Sequence, residues 1–412
     1  MPQMKRRSVL GGLATLPLLN ALPACARNSG IQGAGILAGA GINVHHPMGW
    51  PLMSHGAYIW PPFIGDHYQT PAATVAALKS AGFAWIRFQM DVAILLASDN
   101  DRRRYLLDLA LQRTRPFLDA GLKVVYDMQT NSSNPIYGVD RIFEDPGIFA
   151  TLVGLVGQVA AAMRRFPIDQ VAFELINEPS LRGRAGVAKW QGMAEVLHQS
   201  ARQQAERLPL VVTSCNYSGF SELAMLDPTP FQGSNVLYTF HYYEPHIFTH
   251  QGIDIPIDAA SRVKDLQWPP VATDKARLIK QFPQRNFVSR ALGEKGGHDQ
   301  ALAFLLDQYF NGDEGLAKPA QDFSVVAQWA DRHGIPRERV FLGEFGARAA
   351  GDDPDHRASR LAYIQQVRKA AEASRFPWAY FDLRGGGNWH LLADGTDADL
   401  DKGVLQALGL KA

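Results

Sequence analysis

The sequence predicts a (β/α)₈ barrel, in which eight parallel strands alternate with helices around one core. The chain has 412 residues, of which 46% are hydrophobic and 20% charged, so it can bury a large core. Short β-branched or aromatic runs recur along it, and most are followed by a segment with helical periodicity, which is typical of βα units. Nothing like the dinucleotide-binding pattern G-x-G-x-x-G follows the first run, which disfavours an open doubly wound sheet.

The predicted strands are apolar along their whole length, as expected when helices and a barrel core cover both faces. Between them lie helical candidates such as "TPAATVAALKSAG" and "RRRYLLDLALQRTRPFLDAG", which close with Gly82 and Gly121 at favourable C-terminal positions. In chain order the predicted strands span residues 35–44, 83–90, 123–129, 170–178, 210–216, 235–244, 339–346 and 377–384.

The interval between the sixth and seventh predicted strands is much longer than one helix and two loops require. An insertion is therefore predicted at about residues 250–320. It contains two segments with helical character, "PPVATDKARLIKQF" and "GHDQALAFLLDQYFNGDEG", and the next segment, "DFSVVAQWADRHGIP", fits a helix that leads into the seventh strand. We expect residues 31–412 to form a single barrel domain.

Residues 1–30 resemble an export signal, with a basic start, an apolar stretch and small residues around Cys25. The pair Arg6-Arg7 resembles a twin-arginine signal, and an ordinary secretory signal is the alternative. "LPAC" resembles a lipobox that would place a lipid on Cys25, whereas Ala24-Cys25-Ala26 also fits a cleavage site. We expect an exported protein. It would be periplasmic, tethered to a membrane by a lipid on Cys25, or secreted.

Charge and cysteine content exclude several classes of function. The formal net charge of +1 gives no electrostatic reason to expect nucleic acid as a partner, so neutral partners fit better, and we expect a monomer. Of the two cysteines, Cys25 lies in the signal region, which leaves Cys215 without an intramolecular partner. Its apolar surroundings indicate a small buried side chain rather than a nucleophile.

The tripeptide Leu-Gly-Glu occurs twice, ending at Glu294 and at Glu344. Glu344 closes a predicted strand, so it should project at the C-terminal mouth of the barrel, where barrel enzymes keep their chemistry. Glu294 follows a loop or helix end inside the insertion and is expected to be a solvated surface carboxylate. A second carboxylate, Glu178, ends the fourth predicted strand, and across a narrow barrel the two could face each other over a sugar as in retaining glycosidases.

At this point the chain resembles glycoside hydrolase family 5, the cellulase family. The resemblance extends in strand order from about residue 35 to the end of the chain. It rests on Asn177-Glu178-Pro179 at strand four, Glu344 within "GEFG" at strand seven, Arg87 within "IRF" at strand two and His241-Tyr242-Tyr243 at strand six.

The resemblance implies a role for each of these residues. Glu178 would be the general acid and base, kept protonated by burial and by the charge of Glu344. Glu344 would be the nucleophile, held ionised by Arg87. Tyr243 would donate a hydrogen bond to the same carboxylate, and Asn177 would bind the sugar 2-hydroxyl. The reaction would need neither a metal nor a cofactor.

Further substrate contacts are predicted around this pair. His241 would orient the site or touch the sugar near Glu178, with a packing role as the alternative, while Tyr242 should point outward. Aromatic rings often line sugar clefts because the C–H face of a sugar stacks on them. The further candidates are Trp50, Trp60, Trp389, Asn43, His45 and His46.

The sequence departs from the family pattern in two places. Strand three ends "YDMQTNSS", where many members carry paired histidines, and Phe381 stands where the family usually has a tryptophan. The function predicted is that of an exported retaining β-glycosidase, endo-β-1,4-glucanase-like, acting on a polysaccharide or oligosaccharide. A β-mannanase or a β-1,3-glucan hydrolase is the alternative within this class. Outside it the alternatives are a non-catalytic glycan-binding lipoprotein and a barrel metal hydrolase, which is disfavoured because it would need a His and Asp ligand set at the strand ends.

Overall fold

A computed structural model describes residues 34–131, 134–233, 235–255, 258–271, 297–349, 354–385, 388–393 and 396–412. The predicted export signal, Cys25 and Glu294 lie outside these ranges, so they remain predictions.

The described chain forms a closed barrel of eight parallel strands, as predicted. Each strand pairs with its neighbours in chain order, and the last strand pairs with the first to close the barrel. The strands are β1 (Ala40–Val44), β2 (Phe83–Asp91), β3 (Lys123–Gln129), β4 (Val171–Glu174), β5 (Leu210–Thr213), β6 (Val236–Tyr242), β7 (Val340–Phe345) and β8 (Trp378–Tyr380).

Helices surround the barrel and cover its outer face. Several begin at an aspartate whose carboxylate accepts hydrogen bonds from the first free backbone N–H groups. Asp99, for example, caps the helix that follows β2, and Asp145 caps the long helix that follows β3. The α-helices are Ala72–Ala81, Val92–Ala97, Asn100–Asp119, Val139–Glu144, Pro146–Met163, Gly183–Gln204, Phe220–Leu223, His246–Thr249, Gly297–Asn311, Lys318–Arg332, Pro354–Ala373 and Lys402–Ala407, while Cys215–Ser218 forms a turn with left-handed backbone.

The helix Pro146–Met163 is apolar and long enough to cross a membrane by length and composition alone. In the barrel it lies between β3 and β4 in sequence, and one face is buried through Leu152, Leu155, Val156 and Val159. Its apolar residues are therefore accounted for by packing in the helical layer.

The N-terminal end of the barrel is closed by side chains. Residues Ala34–Leu37 form a 3₁₀ turn instead of the predicted strand start, and they bury Ile36 and Leu37 completely. The Trp85 indole crosses this end of the barrel, donates to the Gly39 carbonyl at 3.1 Å and contacts Phe341 edge-on. The remaining members of this cluster are Val125, Ala172, Val211, Leu237 and Ala379.

The long connection between β6 and β7 contains the predicted helical segments that the structure describes. Gly297–Asn311 and Lys318–Arg332 are helices, while most of "PPVATDKARLIKQF" lies outside the described residues. Tyr242 points outward from β6, as predicted, and donates a hydrogen bond to Asp322 at 2.8 Å. This contact ties the helix before β7 to the barrel.

A second long excursion connects β1 to the helix Ala72–Ala81. It contains a small antiparallel hairpin of Met53–Ser54 with Ala57–Tyr58. The Tyr58 hydroxyl accepts a hydrogen bond from the side chain of Asn134, which follows β3. The excursion therefore passes over the C-terminal ends of β2 and β3.

Candidate active site

Glu344 lies near the C-terminal end of β7 and is almost fully buried. Its Oε1 atom accepts hydrogen bonds from Arg87 Nη1 at 2.7 Å and Gln89 Nε2 at 2.9 Å, while Oε2 accepts one from the Tyr243 hydroxyl at 3.0 Å. Burial raises the pKa of Glu344 above its ordinary value, although the charge of Arg87 and the hydrogen bond from Tyr243 oppose the shift. Three donors therefore fix the direction of this carboxylate.

Glu178 follows β4 and has a left-handed backbone conformation, with φ of 44°. Its side chain is 23% exposed, which leaves it open to the mouth of the barrel. Burial raises the pKa of Glu178 to about 7, and the negative charge of Glu174 acts in the same direction. Glu178 and Glu344 also repel each other when both are ionised, since the charge of Glu178 raises the pKa of Glu344.

His241 lies between the two glutamates. Its Nδ1 atom is 2.7 Å from Glu178 Oε1 and 3.7 Å from Glu344 Oε2. Burial lowers the pKa of His241 to about 4, so the imidazole is neutral at neutral pH. Because Glu178 keeps its proton more readily, the two side chains share a hydrogen bond without forming an ion pair.

One oxygen of Glu178, one of Glu344 and one ring nitrogen of His241 lie within 4.8 Å of one another. Such a close approach of two carboxylates is the arrangement of retaining glycosidases, whose carboxyl groups are about 5 Å apart, whereas inverting enzymes need roughly 6.5–9.5 Å. The same three atoms could ligate a metal ion, but hydrolysis by a carboxylate pair requires none.

Arg87 is a fully buried cation that organises the floor of the site. It forms a bidentate pair with Glu174, with Nε and Nη2 donating at 2.7 and 2.8 Å. The burial of Asp127 raises the pKa of that carboxyl well above its usual range despite the nearby Arg87. The other acceptors around the Arg87 guanidinium are Glu344, Asn177 at 2.7 Å and Asn43 at 3.0 Å, and Asp127 Oδ2 lies 3.2 Å from Nη2 without a hydrogen bond.

Asn177 and Asn43 have different positions in this network. The Asn177 Oδ1 accepts from Arg87, while the buried Nδ2 has no hydrogen-bond partner among the described residues, which suits a donor awaiting a substrate hydroxyl. Asn43 donates to the backbone oxygens of Gly343 and Tyr380 and is completely buried. Asn43 is therefore a link between strands rather than a sugar contact.

Trp389 packs against Tyr243, whose hydroxyl binds Glu344. Its ring meets Tyr243 edge-on at 5.3 Å between centroids, and it also contacts His250 and Phe381. Only 6% of Trp389 is exposed, so most of its surface is used in packing.

The predicted residues of the β1 excursion make other contacts. His46 Nε2 lies 3.2 Å from the Gln69 carbonyl and 3.0 Å from Thr70 Oγ1. Trp50 is half exposed and its edge meets His45, while Trp60 carries the guanidinium of Arg102 over its ring at 4.9 Å. None of these contacts involves the two glutamates, so their binding to substrate stays a prediction.

Several residues of the site were missed from the sequence. Gln89 is two positions after Arg87 in β2, and strand alternation could have placed it on the same face. Glu174 and Asp127 lie within strands that were read only for their apolar residues. Tyr217 is 36% exposed in a left-handed turn after β5, and its N–H donates to the carbonyl of Pro179, next to Glu178.

The fold and the site together define a barrel hydrolase with a paired-carboxylate centre. The chain matches the family model described as Cellulase (glycosyl hydrolase family 5) over residues 42–387, and it belongs to that family.

Individual relatives are similar to this chain at low identity. Endoglucanase 3 of Fibrobacter succinogenes is 24% identical over 83% of this chain and 50% of its own length. Endoglucanase C of Acetivibrio thermocellus is 23% identical over 55% of this chain and 66% of its own length. The chain thus spans half to two thirds of these curated relatives.

Among solved structures, endoglucanase Cel5A of Thermotoga maritima superposes with a TM-score of 0.64 at 19% identity, covering 92% of this chain and 98% of that chain. Structures of that protein in complex with cellobiose and with mannotriose are among the similar folds.

Proposed function

We propose that this protein is a retaining β-glycosidase, endo-β-1,4-glucanase-like, with Glu344 as nucleophile and Glu178 as general acid and base. The observation that carries the proposal is the close approach of the two carboxylates, one fixed by three donors and the other with a raised pKa. Family membership and the endoglucanase relatives support the substrate class.

In the proposed mechanism each carboxylate has a different task. Glu344 Oε2 attacks the anomeric carbon, the glycosidic bond breaks, and its electron pair goes to the leaving oxygen, which takes the proton of Glu178. Ionised Glu178 then removes a proton from water, and the resulting hydroxide equivalent displaces Glu344 from the sugar. The unpartnered Asn177 Nδ2 is positioned to donate to a sugar hydroxyl, a contact that strengthens in the transition state.

The leaving group lies on the side of Glu178, because that residue protonates it. Tyr217 is the exposed aromatic residue tied to the adjoining loop, through its hydrogen bond to Pro179. The guanidinium of Arg182 lies 5.2 Å from the centre of the Tyr217 ring and supports it. We therefore assign Tyr217 to the binding of the departing sugar.

The test is hydrolysis of β-1,4-glucan, β-mannan and β-1,3-glucan oligosaccharides by the wild type and by Glu344→Gln, Glu178→Gln and Glu294→Gln. Glu294→Gln is a matched control because it follows the same Leu-Gly dipeptide. We expect β-configured first products by NMR, loss of turnover in Glu344→Gln, and unchanged activity in the control.

Two outcomes would change the proposal. Turnover confined to β-mannan would favour the mannanase alternative, since a similar fold has been solved with mannotriose. Binding of oligosaccharides without hydrolysis in any sample would favour the glycan-binding alternative.

We also propose that the protein is exported, which is supported by the composition of residues 1–30. Fractionation of cells that express the wild type or Cys25→Ala tests the lipid anchor. Release of the variant from the membrane fraction is expected if Cys25 carries a lipid, and unchanged partitioning would contradict the anchor.

A further inference from the structure

We propose that Gln89 is a positioning residue for the nucleophile, holding Glu344 Oε1 so that Oε2 is the oxygen that attacks. The inference rests on the proposed function. It adds a residue to the site that is neither one of the two proposed catalytic glutamates nor part of the buried Arg87–Glu174 pair.

The shorter of the two hydrogen bonds from the Gln89 side chain goes to the proposed nucleophile. The side chain is completely buried in β2, two residues beyond Arg87. Its Nε2 atom donates to Glu344 Oε1 at 2.9 Å and approaches Asn43 Oδ1 at 3.4 Å. Its Oε1 atom has no hydrogen-bond partner among the described residues.

This orientation of the amide is the only one compatible with an ionised nucleophile. Rotating the amide by half a turn would bring its oxygen against the carboxylate oxygen of Glu344, placing two acceptors together. The side chain therefore presents its donor to Glu344 and leaves a buried acceptor unpaired. An unpaired buried acceptor opposes stability, which indicates that the contact is retained for function.

Arg87 alone is poorly suited to hold the nucleophile. Its Nε and Nη2 atoms form the bidentate pair with Glu174, and only Nη1 reaches Glu344. The positive charge is thus shared between two carboxylates. Gln89, two residues beyond Arg87 in β2, supplies a second hydrogen-bond donor to Glu344 Oε1.

The two oxygens of Glu344 are consequently inequivalent. Oε1 is held by Arg87 and Gln89, whereas Oε2 accepts from Tyr243 and faces His241 at 3.7 Å. In the first step a bond forms between Oε2 and the anomeric carbon, and the glycosidic carbon–oxygen bond breaks. Oε1 becomes the carbonyl oxygen of the glycosyl ester and keeps both donors.

Removal of the Gln89 donor should favour the protonated form of Glu344, because a hydrogen bond to the charged form lowers the pKa of a carboxyl. The enzyme needs the ionised nucleophile, so the acidic limb of the pH–rate profile should move to higher pH. The other titratable or charged groups that act on Glu344, or on which it acts, are Arg87, Asp127, Glu178, His241, Tyr243 and Asp382.

The experiment compares the wild type, Gln89→Met and Gln89→Glu on 2,4-dinitrophenyl β-cellobioside between about pH 4 and pH 9. This leaving group needs no proton, so kcat/KM reports the attack by Glu344 without the acid role of Glu178. Gln251→Met is the matched control, because Gln251 is equally buried but bonds to the backbone of the β6–β7 connection.

For Gln89→Met we expect kcat/KM to fall roughly 10- to 100-fold and its acidic limb to rise by about one pH unit. Gln89→Glu keeps the shape of the side chain and donates only while protonated, so its activity should decline as pH rises, with an optimum below that of the wild type. Gln251→Met should keep the wild-type acidic limb even if it lowers thermal stability.

An acidic limb in Gln89→Met that coincides with that of the wild type would overturn the inference, as would a Gln89→Glu profile of wild-type shape. Because the new carboxyl is isosteric with the amide, Gln89→Glu remains informative if the methionine variant does not fold. If the wild type itself failed to turn over this glycoside or any glycan of the panel, the proposed function would fail and this inference with it.

Discussion

At the scale of single residues, the proposed mechanism requires two similar carboxylates to perform opposite tasks. Glu178 has few donors and a pKa raised to about 7, while Glu344 is held by Arg87, Gln89 and Tyr243. Burial raises the pKa of both groups and the charge of Arg87 opposes this shift at both, while the hydrogen bond from Tyr243 opposes it at Glu344. His241 is neutral, so its contact with Glu178 adds no positive charge that would lower the pKa of Glu178.

The raised pKa of Glu178 predicts where kcat/KM declines on the basic side of the pH–rate profile. With cello-oligosaccharides, whose leaving oxygen needs a proton, kcat/KM should fall as pH rises through about 7 because ionised Glu178 has no proton to give. The dinitrophenyl glycoside needs no proton, so its kcat/KM should persist above that pH. Parallel loss with both substrates would contradict the assignment of Glu178.

Asp382 lies just after β8, and its burial predicts that the stability of the protein depends on pH. It is buried with Oδ1 unpartnered among the described residues, and burial raises its pKa to about 8. Its folded-state pKa exceeds the unfolded value, so the folded state binds the extra proton and loses stability as pH rises from about 4 to about 8.

Asp382→Asn should therefore unfold at the same urea concentration as the wild type near the lower end of this window and become relatively more stable as pH increases. The gain is at most about 1.4 kcal/mol for each pH unit. The exposed Asp169→Asn is the control. A difference that does not vary with pH would exclude this account of Asp382.

At the scale of elements, two loops with left-handed backbone meet beside Glu178. Asn216, Tyr217 and Ser218 have φ of 53°, 59° and 58°, a conformation that residues with a Cβ rarely adopt consecutively. The Asn216 N–H donates to the Leu181 carbonyl and the Tyr217 N–H to the Pro179 carbonyl, at 2.8 and 3.1 Å. The turn after β5 therefore supports the loop that carries the proposed acid.

Glycine at position 217 should relieve this strain, whereas alanine should not. Both Tyr217→Gly and Tyr217→Ala lose the exposed ring, so their difference reports the backbone, and the glycine variant should be more stable by about 1 kcal/mol. Urea denaturation measures the difference. Equal stability of the two variants would mean that the left-handed turn stores no strain.

The number, order and direction of the strands could be predicted from sequence, because apolar runs followed by helical periodicity reflect burial on both faces. Their ends could not. The runs 35–44 and 170–178 continue past the strands because Ile36 and Leu37, like Leu175 and Ile176, are apolar for reasons of core packing outside the sheet.

The site was predictable where a short motif carried it, as with Asn177-Glu178 and Glu344. Alternation along β2 could have placed Gln89 on the same face as Arg87, but its bond to Glu344, like that of Glu174 to Arg87, joins residues on different strands and could not be predicted from the pattern of one strand. The packing of Trp60 against Arg102 and Tyr105 on the helix Asn100–Asp119 depends on tertiary structure and could not be predicted from the sequence.

At the scale of the whole molecule, the barrel is closed at one end and open at the other. Ile36 and Leu37 cover the N-terminal ends of the strands together with Trp85 and Phe341, while the glutamates lie at the opposite ends. Gly41 permits this closure, since a Cβ there would lie 2.4 Å from the Trp85 ring. The residues that close and stabilise the barrel thus lie at one end of the strands, and the candidate active-site residues lie at the other.

Ile36→Ala should lower the free energy of unfolding by about 2–5 kcal/mol, because it removes fully buried methyl groups from this cluster. Ile64→Ala is the matched control, since Ile64 is 63% exposed, and it should change stability little. Thermal or urea unfolding checks both. A similar loss in the two variants would show that Ile36 does not close the barrel.

The closed end also receives both ends of the described chain. Ala34 begins the turn beneath the barrel, and near the C terminus the Lys411 N–H donates to the Ala81 carbonyl, immediately before β2 starts. A bead or a purification tag attached beyond Lys411 would therefore lie at the opposite end from the glutamates. The mouth of the barrel should remain accessible to a long polymer when the protein is immobilised in this way.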